Sequence, residues 1–302
     1  MRVLVLAGGE SPEREVSLQS GTAVALALTF SGFYIVDLLD PRDIDVASLN
    51  GEDWDIAFPM VHGTGGEDGV LQRQLEQINL PFVGSSATAS ELTFDKIRTN
   101  AFLAEHGIAV PPGIALNNSS GPECNRTAIL KHGLPVVVKP PRQGSSIGIS
   151  IVETPMQIEA ALNLAFQFDD ECLVETFIAG KEVTVPVING QAYPAIEIQP
   201  ATEWYDYASK YADNRTQYIV DGSGHFAKAS EVAVTACELC HVTGIARVDF
   251  RVDATGRVWL LEVNTIPGMT SHSLVPKSAS STGQSMSELC DAAIRYCLTA
   301  LT

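Results

Sequence analysis

The order of apolar and polar positions divides the chain into segments of different type. Four short, almost wholly apolar runs predict buried parallel strands: 2–7, 33–38, 55–61 and 81–84. Between them, apolar residues recur at helical spacing over 17–31 and 70–78. Strands that alternate with helices in this way predict an open α/β layer in the first 85 residues.

The pattern changes twice after this layer. Helical spacing over 87–106 predicts one long helix, which ends ahead of a proline pair at 111–112. Residues 134–177 predict a strand, a glycine-rich loop, a strand, a helix and a strand. Two antiparallel strands, a hairpin turn and a closing amphipathic helix are predicted at 182–188, 192–199, 253–257 and about 285–298.

A chain of 302 residues is long for one hydrophobic core, so we expect several subdomains in a mixed α/β fold. We predict an N-terminal α/β subdomain over 1–85, a central one over 86–179 and a C-terminal one over 180–302. The stretch of about 200–225 is polar and aromatic without periodicity, which is typical of a lid or binding loop. Its Lys-Tyr pair at 210–211 could close over a phosphorylated intermediate.

Composition narrows the classes of function. Apolar residues make up 45% of the chain, which suits a globular protein with a substantial core. The 19 Lys and Arg against 36 Asp and Glu give a net charge of -17, a field that repels nucleic acid and anionic membranes. We therefore expect neither as a partner, and lysines near glycine-rich loops become candidates for phosphate binding.

The six cysteines have no spacing typical of a disulfide framework: 124, 172, 237, 240, 290 and 297. The chain opens on a predicted strand without a secretory signal, and no apolar run approaches the ~20 residues of a membrane span. A cytoplasmic protein with reduced thiols is expected. Cys237 and Cys240 form a C-x-x-C pattern, but within helical spacing, where core cysteines are the simpler interpretation.

Three oxygen-bearing side chains come from two neighbouring strand-like segments. Asp249, Glu262 and Asn264 are ligands of the kind that Mg²⁺ prefers, together with substrate phosphates. Arg247 lies two residues before Asp249, so on a strand both side chains face the same way. A turn at 267–268 follows. The segment therefore predicts a metal site at which phosphate chemistry and an oxyanion are handled together.

Three glycine-rich loops are candidates for ligand binding. Residues 139–148 begin with Lys139 and connect two predicted strands. Their glycines and serines could let backbone N–H groups point at a phosphate. The alternative is an ordinary hairpin, since glycine and serine are common in turns. Residues 8–17, with Glu13, and residues 61–69 each follow a strand of the α/β layer, where ligands bind in open sheets. The alternative for the first loop is helix capping by the serine that ends it. The alternative for the second is that its acids lie at the N-terminus of the next helix, where negative charge is favourable.

Residues 222–227 fit the G-x-G-x-x-A pattern of dinucleotide-binding loops and precede a predicted helix. However, only three apolar residues, 218–220, come before the pattern, which is too short for the strand of a βαβ unit. A nicotinamide-dependent oxidoreductase is therefore disfavoured.

Taken together, these segments resemble the D-alanine–D-alanine ligase family of the ATP-grasp superfamily. The matching blocks follow the family's order over nearly the whole chain: 13–17, 62–69, 95–96, 139–148, 205–211, 247–249, 262–264 and 267–274. The resemblance implies an ATP-grasp fold that holds ATP between the central and C-terminal subdomains, and a homodimer. It also implies ligation of two D-alanine molecules for peptidoglycan precursor synthesis.

The same resemblance implies how ATP would be bound. Lys96 and Lys139 would contact the α- and β-phosphates, and Lys210 would contact the γ-phosphate. Glu175 and the backbone near Phe177 would contact the adenine edge, and Glu182 would contact the ribose hydroxyls. Asp249, Glu262 and Asn264 would hold two Mg²⁺ ions, for which Mn²⁺ could substitute. A requirement for a monovalent cation is left open.

By the same resemblance, the carboxylate of a first D-alanine attacks the γ-phosphorus of ATP, and the amine of a second attacks the acyl phosphate. The residues implied for the first D-alanine and its link to the lid are Glu13, Ser145 and Tyr211. Those implied for the oxyanion are Arg247 and the N–H of Gly268. Ser273 and Leu274 would receive the carboxylate of the second D-alanine, and His62 is a further substrate-binding residue.

Two alternatives stay open. A sister ligase would accept D-lactate or another second substrate, although Tyr211 favours the dipeptide-forming type by family likeness. A nucleotide-binding regulatory protein would lack a metal carboxylate, the oxyanion arginine or a phosphate lysine, and all of these are present. Gln143 and Ile266 stand where the family more often has an acid and a small polar residue, without removing an assigned group.

Overall fold

The computed structural model describes residues 1–200 and 215–299, which form three β-sheets surrounded by helices. The first sheet contains β1 to β3: Arg2–Leu6, Ile35–Leu39 and Ile56–Pro59. The second contains β4 to β7: Gly113–Asn117, Val136–Lys139, Ser150–Val152 and Glu171–Thr176. The third contains β8 to β13: Lys181–Ile188, Gln191–Ala192, Ile196–Gln199, Gln217–Val220, Ile245–Val252 and Val258–Asn264.

Nine α-helices lie within the described residues. Helices α1 to α5 are Arg14–Phe30, Val70–Gln77, Ala87–Phe94, Lys96–Glu105 and Pro122–His132. Helices α6 to α9 are Ile158–Ala165, Ala227–Leu239, Leu274–Ser281 and Met286–Thr299. None of these helices is long and apolar enough to cross a membrane.

The first sheet is parallel, in the order β2-β1-β3, as the alternation of strands and helices predicted. Strand β1 is buried, but the prediction that all four apolar runs are buried strands was wrong for β2, in which Ile35 is 64% exposed. Strand β3, at the other edge, is fully buried beside the bridge that joins Ala57 to Phe82, whereas β2 stays partly open to solvent. The run at 81–84 contributes only an isolated parallel bridge between Ala57 and Phe82.

The single helix predicted over 87–106 is two helices, α3 and α4, because Asp95 interrupts it. Asp95 has an extended backbone, with ψ of 101°, which ends α3. Its carboxylate accepts the N–H groups of Ile97 and Arg98 at 3.0 and 3.1 Å and so caps α4. The interruption places Lys96 in the first turn of α4.

The second and third sheets are antiparallel at every strand pair, in the orders β4-β7-β5-β6 and β11-β10-β8-β12-β13, with β9 beside β8. The run predicted as one strand over 192–199 is divided between β9 and β10. The turn after β12 and the closing helix are confirmed, with Gly256 at φ 82°. The boundaries predicted after residues 85 and 179 each fall between two sheets.

The closing helix α9 returns to the beginning of the chain. Its Leu289 and Ile294 are fully buried in one core with Val5 of β1 and Leu28 of α1. Burial of these apolar side chains therefore stabilises the packing of α9 against the first sheet. The same core contains Ile188 of β8 and Ile245 of β12, so it joins the first sheet to the third.

Candidate active site

One cleft is lined by residues from all three parts of the fold. It brings together most of the predicted site residues: Glu13, His62, Lys96, Ser145, Glu182, Arg247, Asp249, Glu262, Asn264, Gly268, Ser273 and Leu274. Lys210 and Tyr211, predicted for the lid, lie outside the described residues. The fold thus collects in one place side chains that are far apart in the sequence.

Strands β12 and β13 carry the predicted metal ligands on one face. Asp249 pairs in register with Glu262, and Arg247 with Asn264, so the four side chains are neighbours. Arg247 holds Asp249 by two contacts, Nε to Oδ1 at 2.9 Å and Nη2 to Oδ2 at 2.8 Å. Thr184 of β8 donates its hydroxyl to Asp249 Oδ1 at 2.6 Å. The carboxylate is therefore held in a fixed orientation.

The ammonium of Lys96 connects the glycine-rich loop with these strands. Its Nζ donates to the backbone carbonyl of Gln143 at 2.7 Å and lies 3.1 Å from Glu262 Oε2. The Lys96 side chain is only 9% exposed, and charge-assisted hydrogen bonds are strong where water is scarce. Because the loop contributes a backbone oxygen here, the unusual glutamine at 143 leaves this contact intact.

The donor set on β12 and β13 fits Mg²⁺ by its chemistry. It offers two carboxylates, Asp249 and Glu262, and the amide oxygen of Asn264, which is oriented by the N–H of Ile266 at 3.0 Å. No three His, Cys, Asp or Glu side chains cluster as a metal site within 1–200 and 215–299. An amide oxygen and substrate phosphates would therefore complete the coordination, as is usual for Mg²⁺.

A buried carboxylate lies where the first and second sheets meet. Glu13 is 7% exposed and immediately precedes α1, and the hydroxyl of Ser145 donates to its Oε2. The glycine-rich loop approaches it so closely that a Cβ on Gly144 would lie 2.4 Å from Glu13 Oε1. Ser145 and Ser146 adopt positive φ of 52° and 60° in this bend. The loop thus closes directly over an acid that could bind an ammonium.

Ser17 does not cap α1, so that interpretation was wrong. The helix begins before it, and its hydroxyl instead donates to the carbonyl of Met60 at 2.6 Å and accepts the N–H of Gly8 at 2.8 Å. Ser17 therefore joins the loops that follow β1 and β3. The N-cap of α2 is Gly69, and Asp68 lies one residue before it, where its carboxylate accepts the N–H of Val70 at 3.1 Å. An acid at the N-terminus of this helix is what the alternative interpretation predicted.

His62 belongs to a buried polar chain that the sequence did not reveal in full. Its Nδ1 lies 3.6 Å from Glu67 Oε1, and its Nε2 lies 3.3 Å from the hydroxyl of Ser20. The backbone N–H of Met269 donates to the same hydroxyl at 3.1 Å. Ser20 and Thr184 are contacts that the sequence analysis missed. Their only sequence signal is a hydroxyl within an otherwise apolar buried face.

The turn after β13 is closely packed around a hydroxyl. Ser273 Oγ accepts the N–H of Thr270 at 3.0 Å, and Ser273 immediately precedes α8, which begins with the buried Leu274. A Cβ on Gly268 would lie 2.9 Å from Ser273 Oγ. A side chain at 268 would therefore displace that hydroxyl, and glycine leaves the backbone of the turn accessible in the cleft.

Lys139, Glu175 and Phe177 are not among the residues that line the cleft. Lys139 Nζ is 2.6 Å from Glu175 Oε2, with the two side chains 7% and 3% exposed, and Asn100 donates to Glu175 Oε1 at 2.7 Å. The Phe177 ring lies 5.9 Å from the guanidinium carbon of Arg251. Lys139 and Glu175 are buried and Phe177 is half-buried, and the contacts with ATP assigned to the three by resemblance stay predictions.

Two other sequence patterns have structural roles. Strand β11 before the G-x-G-x-x-A segment is antiparallel to β10, so no βαβ unit exists there. Partial burial raises the pKa of Asp221, but hydrogen bonds from Phe226 and Ser223 outweigh it and lower that pKa to about 2. Burial raises the pKa of Cys237 to about 12 and that of Cys240 to about 11, which disfavours a reactive thiolate.

The fold and cleft are those of the ATP-grasp class, since solved structures of that class match nearly the whole chain. A D-alanine–D-alanine ligase from Bacillus anthracis matches with a TM-score of 0.89 and 32% identity, over 99% of this chain and 98% of that one. The same enzyme complexed with ATP matches with a TM-score of 0.86 and 30% identity over the same shares. The VanG D-Ala:D-Ser ligase from Enterococcus faecalis matches with a TM-score of 0.86 and 28% identity, over 98% and 99%.

The chain belongs to the D-alanine–D-alanine ligase family. The family model for the D-ala D-ala ligase C-terminus matches residues 102–295, and that for the N-terminus matches residues 41–85. The D-alanine–D-alanine ligases of Actinobacillus succinogenes and Mannheimia succiniciproducens are each 40% identical over 292 residues, or 95% of both chains. The resemblance noted in the sequence is thereby confirmed.

Proposed function

We propose that this chain joins two D-alanine molecules at the expense of ATP. A carboxylate oxygen of the first D-alanine forms a bond to the γ-phosphorus, and ADP leaves with the bridging oxygen. The amine of the second D-alanine then attacks the carbonyl carbon of the acyl phosphate. Inorganic phosphate leaves, the amine loses a proton, and D-alanyl-D-alanine is released for peptidoglycan precursor synthesis. We infer that the protein works in the cytoplasm.

The observation that carries this proposal is the pairing of two carboxylates with two cations in one cleft. Asp249 and Glu262 face each other across β12 and β13, Arg247 contacts the first and Lys96 the second. We assign Asp249, Glu262 and Asn264 to two Mg²⁺ ions. Bound there, Mg²⁺ would neutralise the negative charge of the phosphates during phosphoryl transfer.

The remaining residues are assigned by their place around that centre. Glu13, which accepts a hydrogen bond from the hydroxyl of Ser145, would bind the ammonium of the first D-alanine. Arg247 and the N–H of Gly268 would stabilise the oxyanion formed by the second attack. Ser273 and Leu274 would receive the second D-alanine, and His62 would also contact substrate; all three line the same cleft.

We assign the nucleotide to the space between the second and third sheets. The residues proposed to contact it are Lys96, Lys139, Glu175, Phe177, Glu182 and, from the lid, Lys210. Tyr211 would link the lid to Ser145. In this arrangement the three sheets with their helices act as three subdomains, with boundaries near residues 85 and 179.

The decisive experiment measures ADP, phosphate and ligated product with Mg-ATP and a panel of amino acids. We expect D-alanine alone to stimulate ADP release and to yield the dipeptide, whereas L-alanine does neither. ATP binding without turnover across the panel would contradict the proposal and favour a regulatory nucleotide-binding protein.

A second candidate is ligation of D-alanine to a different second substrate. The observation that favours it is the match over nearly the whole chain to a D-Ala:D-Ser ligase. Mixtures of D-alanine with D-serine or D-lactate therefore belong in the same panel. Product formed only in a mixture, and not with D-alanine alone, would assign the chain to this branch.

We further propose that the protein pairs with a second copy through the edge of the first sheet. Half of the large apolar side chains that the described residues expose lie in the first 38 residues: Met1, Leu18, Leu26, Phe30, Phe33, Ile35 and Leu38. Strand β2 beside them is an edge strand. An edge strand with apolar neighbours favours pairing with another strand, and two-fold symmetry makes a second copy the self-complementary partner.

The oligomeric state tests this surface. Ile35→Asp and Phe33→Asp should convert a dimer to a monomer in sedimentation equilibrium, because each places a charge in the interface. Met156→Asp, at a residue 89% exposed elsewhere on the chain, is the control and should leave the mass unchanged. A monomeric wild type, or dimeric variants, would contradict the proposal.

A further inference from the structure

The hydroxyl of Ser20 lies at the meeting point of two segments that reach the cleft from opposite ends of the chain. Ser20 is fully buried on α1 and does not line the cleft. Its Oγ accepts the N–H of Met269 at 3.1 Å and lies 3.3 Å from His62 Nε2. One atom therefore connects the loop after β3 with the turn that contains Gly268.

The contacts around Ser20 form a directional chain. When His62 carries its proton on Nδ1, toward Glu67 Oε1 at 3.6 Å, its Nε2 is an acceptor. The Ser20 hydroxyl then donates to Nε2 while its oxygen accepts the N–H of Met269. The Ser20 hydroxyl thus donates one hydrogen bond and accepts another, and buried hydrogen bonds in series reinforce one another.

The same hydroxyl is close to the backbone that we assign to the oxyanion. A Cβ built on Gly268 would lie 4.0 Å from Ser20 Oγ, and the next peptide N–H, that of Met269, is the one that Ser20 holds. Fixing this peptide limits the rotation of the turn that presents the Gly268 N–H. An oxyanion donor must be placed to within a fraction of an ångström to be effective.

We propose that Ser20 is a positioning residue for the second step of the reaction, in which the amine attacks the acyl phosphate. This inference rests on the proposed function. Without the hydroxyl, the turn at 267–269 loses its fixed contact with α1, and the second step slows while phosphoryl transfer to the first D-alanine continues. Acyl phosphate that waits longer is attacked by water, which returns D-alanine and releases phosphate.

The ratio of phosphate released to dipeptide formed measures this effect. We expect a ratio of about one for wild type and a rise of about threefold or more for Ser20→Ala, with dipeptide turnover about tenfold lower. A general loss of stability would lower both products together and leave the ratio unchanged. Ser90→Ala is the matched control, since Ser90 is also a fully buried helical serine and lies outside the cleft lining.

A second pair of variants keeps the test decisive if Ser20→Ala folds poorly. Ser20→Thr and Ser20→Val have nearly the same shape, and only threonine retains the hydroxyl. The ratio should stay near that of wild type in the threonine variant and rise in the valine variant. Equal ratios in the two variants would overturn the proposal, as would an unchanged ratio in Ser20→Ala.

Hydrogen exchange of the backbone separates this inference from the proposed function. The Met269 amide should exchange at least about tenfold faster in Ser20→Ala than in wild type or Ser90→Ala, because its acceptor is lost. This readout needs no turnover. Inactivity of the wild type with D-alanine would refute the proposed function alone, whereas unchanged exchange at Met269 would refute the role of Ser20.

Discussion

Lys96 and Glu262 form an ion pair, with 3.1 Å between Nζ and Oε2, that connects the first turn of α4 to the end of β13. The same ammonium donates to the carbonyl of Gln143 in the glycine-rich loop. One cation therefore links three segments on which the phosphate and metal assignments depend. Its position results from Asp95, which ends α3 and directs Lys96 into the cleft.

Replacement of Lys96 by methionine should lower turnover with ATP by about 10²–10³-fold. The change preserves the length of the side chain but removes the charge that pairs with Glu262 and that we assign to a phosphate. ADP release at saturating D-alanine measures the effect. Lys228→Met, at an exposed lysine that pairs with Glu231 on the surface, should behave as wild type.

Glu262→Gln should fold normally while losing about 10²-fold or more of its Mg²⁺-dependent turnover. The amide retains the shape of the side chain but weakens the binding of a hard cation and leaves Lys96 without its charged partner. Turnover as a function of Mg²⁺ and of Mn²⁺, together with the thermal midpoint, checks both parts. Near-wild-type turnover with normal metal dependence would contradict the ligand assignment.

Arg247→Ala should lower kcat by about 10²–10³-fold, which is the usual cost of a lost oxyanion donor. Arg247→Lys should restore little of it, since a lysine cannot make the two-point contact that Arg247 makes with Asp249. Steady-state kinetics of dipeptide formation measure both variants. Arg73→Ala, at an arginine whose side chain is 53% exposed, is the control for the loss of a positive charge.

Asp221→Asn should destabilise the protein by about 1 kcal/mol or less at neutral pH, because much of this side chain is in contact with water. The pKa of Asp221 is lowered to about 2 in the folded state, so its contribution is complete above the unfolded value of about 3.9 and is lost as the pH falls toward 2. The difference in thermal midpoint between wild type and variant should therefore be larger at pH 6 than at pH 3. An equal difference at both values would contradict this account.

The sequence alone could predict that the proposed metal ligands share a face, because strand geometry is regular. Side chains two residues apart on a strand share a face, so Arg247 and Asp249 could be placed together without a structure. The strand register that places Asp249 opposite Glu262 could not be predicted from the sequence. A β-bulge lies between Asp249 and Phe250, and the alternation of apolar and polar residues does not determine where such a shift in register occurs. The helix break at Asp95 was missed because helical spacing continues across it.

The contacts of Ser20 and Thr184 could not be found from the sequence at all. Each is a hydroxyl on a buried face, and its partner lies in a segment distant along the chain, as the Ser20 to Met269 contact shows. No local pattern encodes a partner at such a distance. The same holds for the return of α9 to the first sheet, since its apolar stripe predicts burial but not the surface that it covers.

By itself, the sequence determined the alternation of strands and helices, the glycine-rich loops and the family, because these depend on local periodicity and on residues at fixed spacing. Only the tertiary structure decided which side chains meet: Lys96 with Glu262, Ser145 with Glu13, and Lys139 with Glu175. The physical reason is that local preferences act over a few residues, whereas the meeting of distant segments depends on how all the cores pack at once.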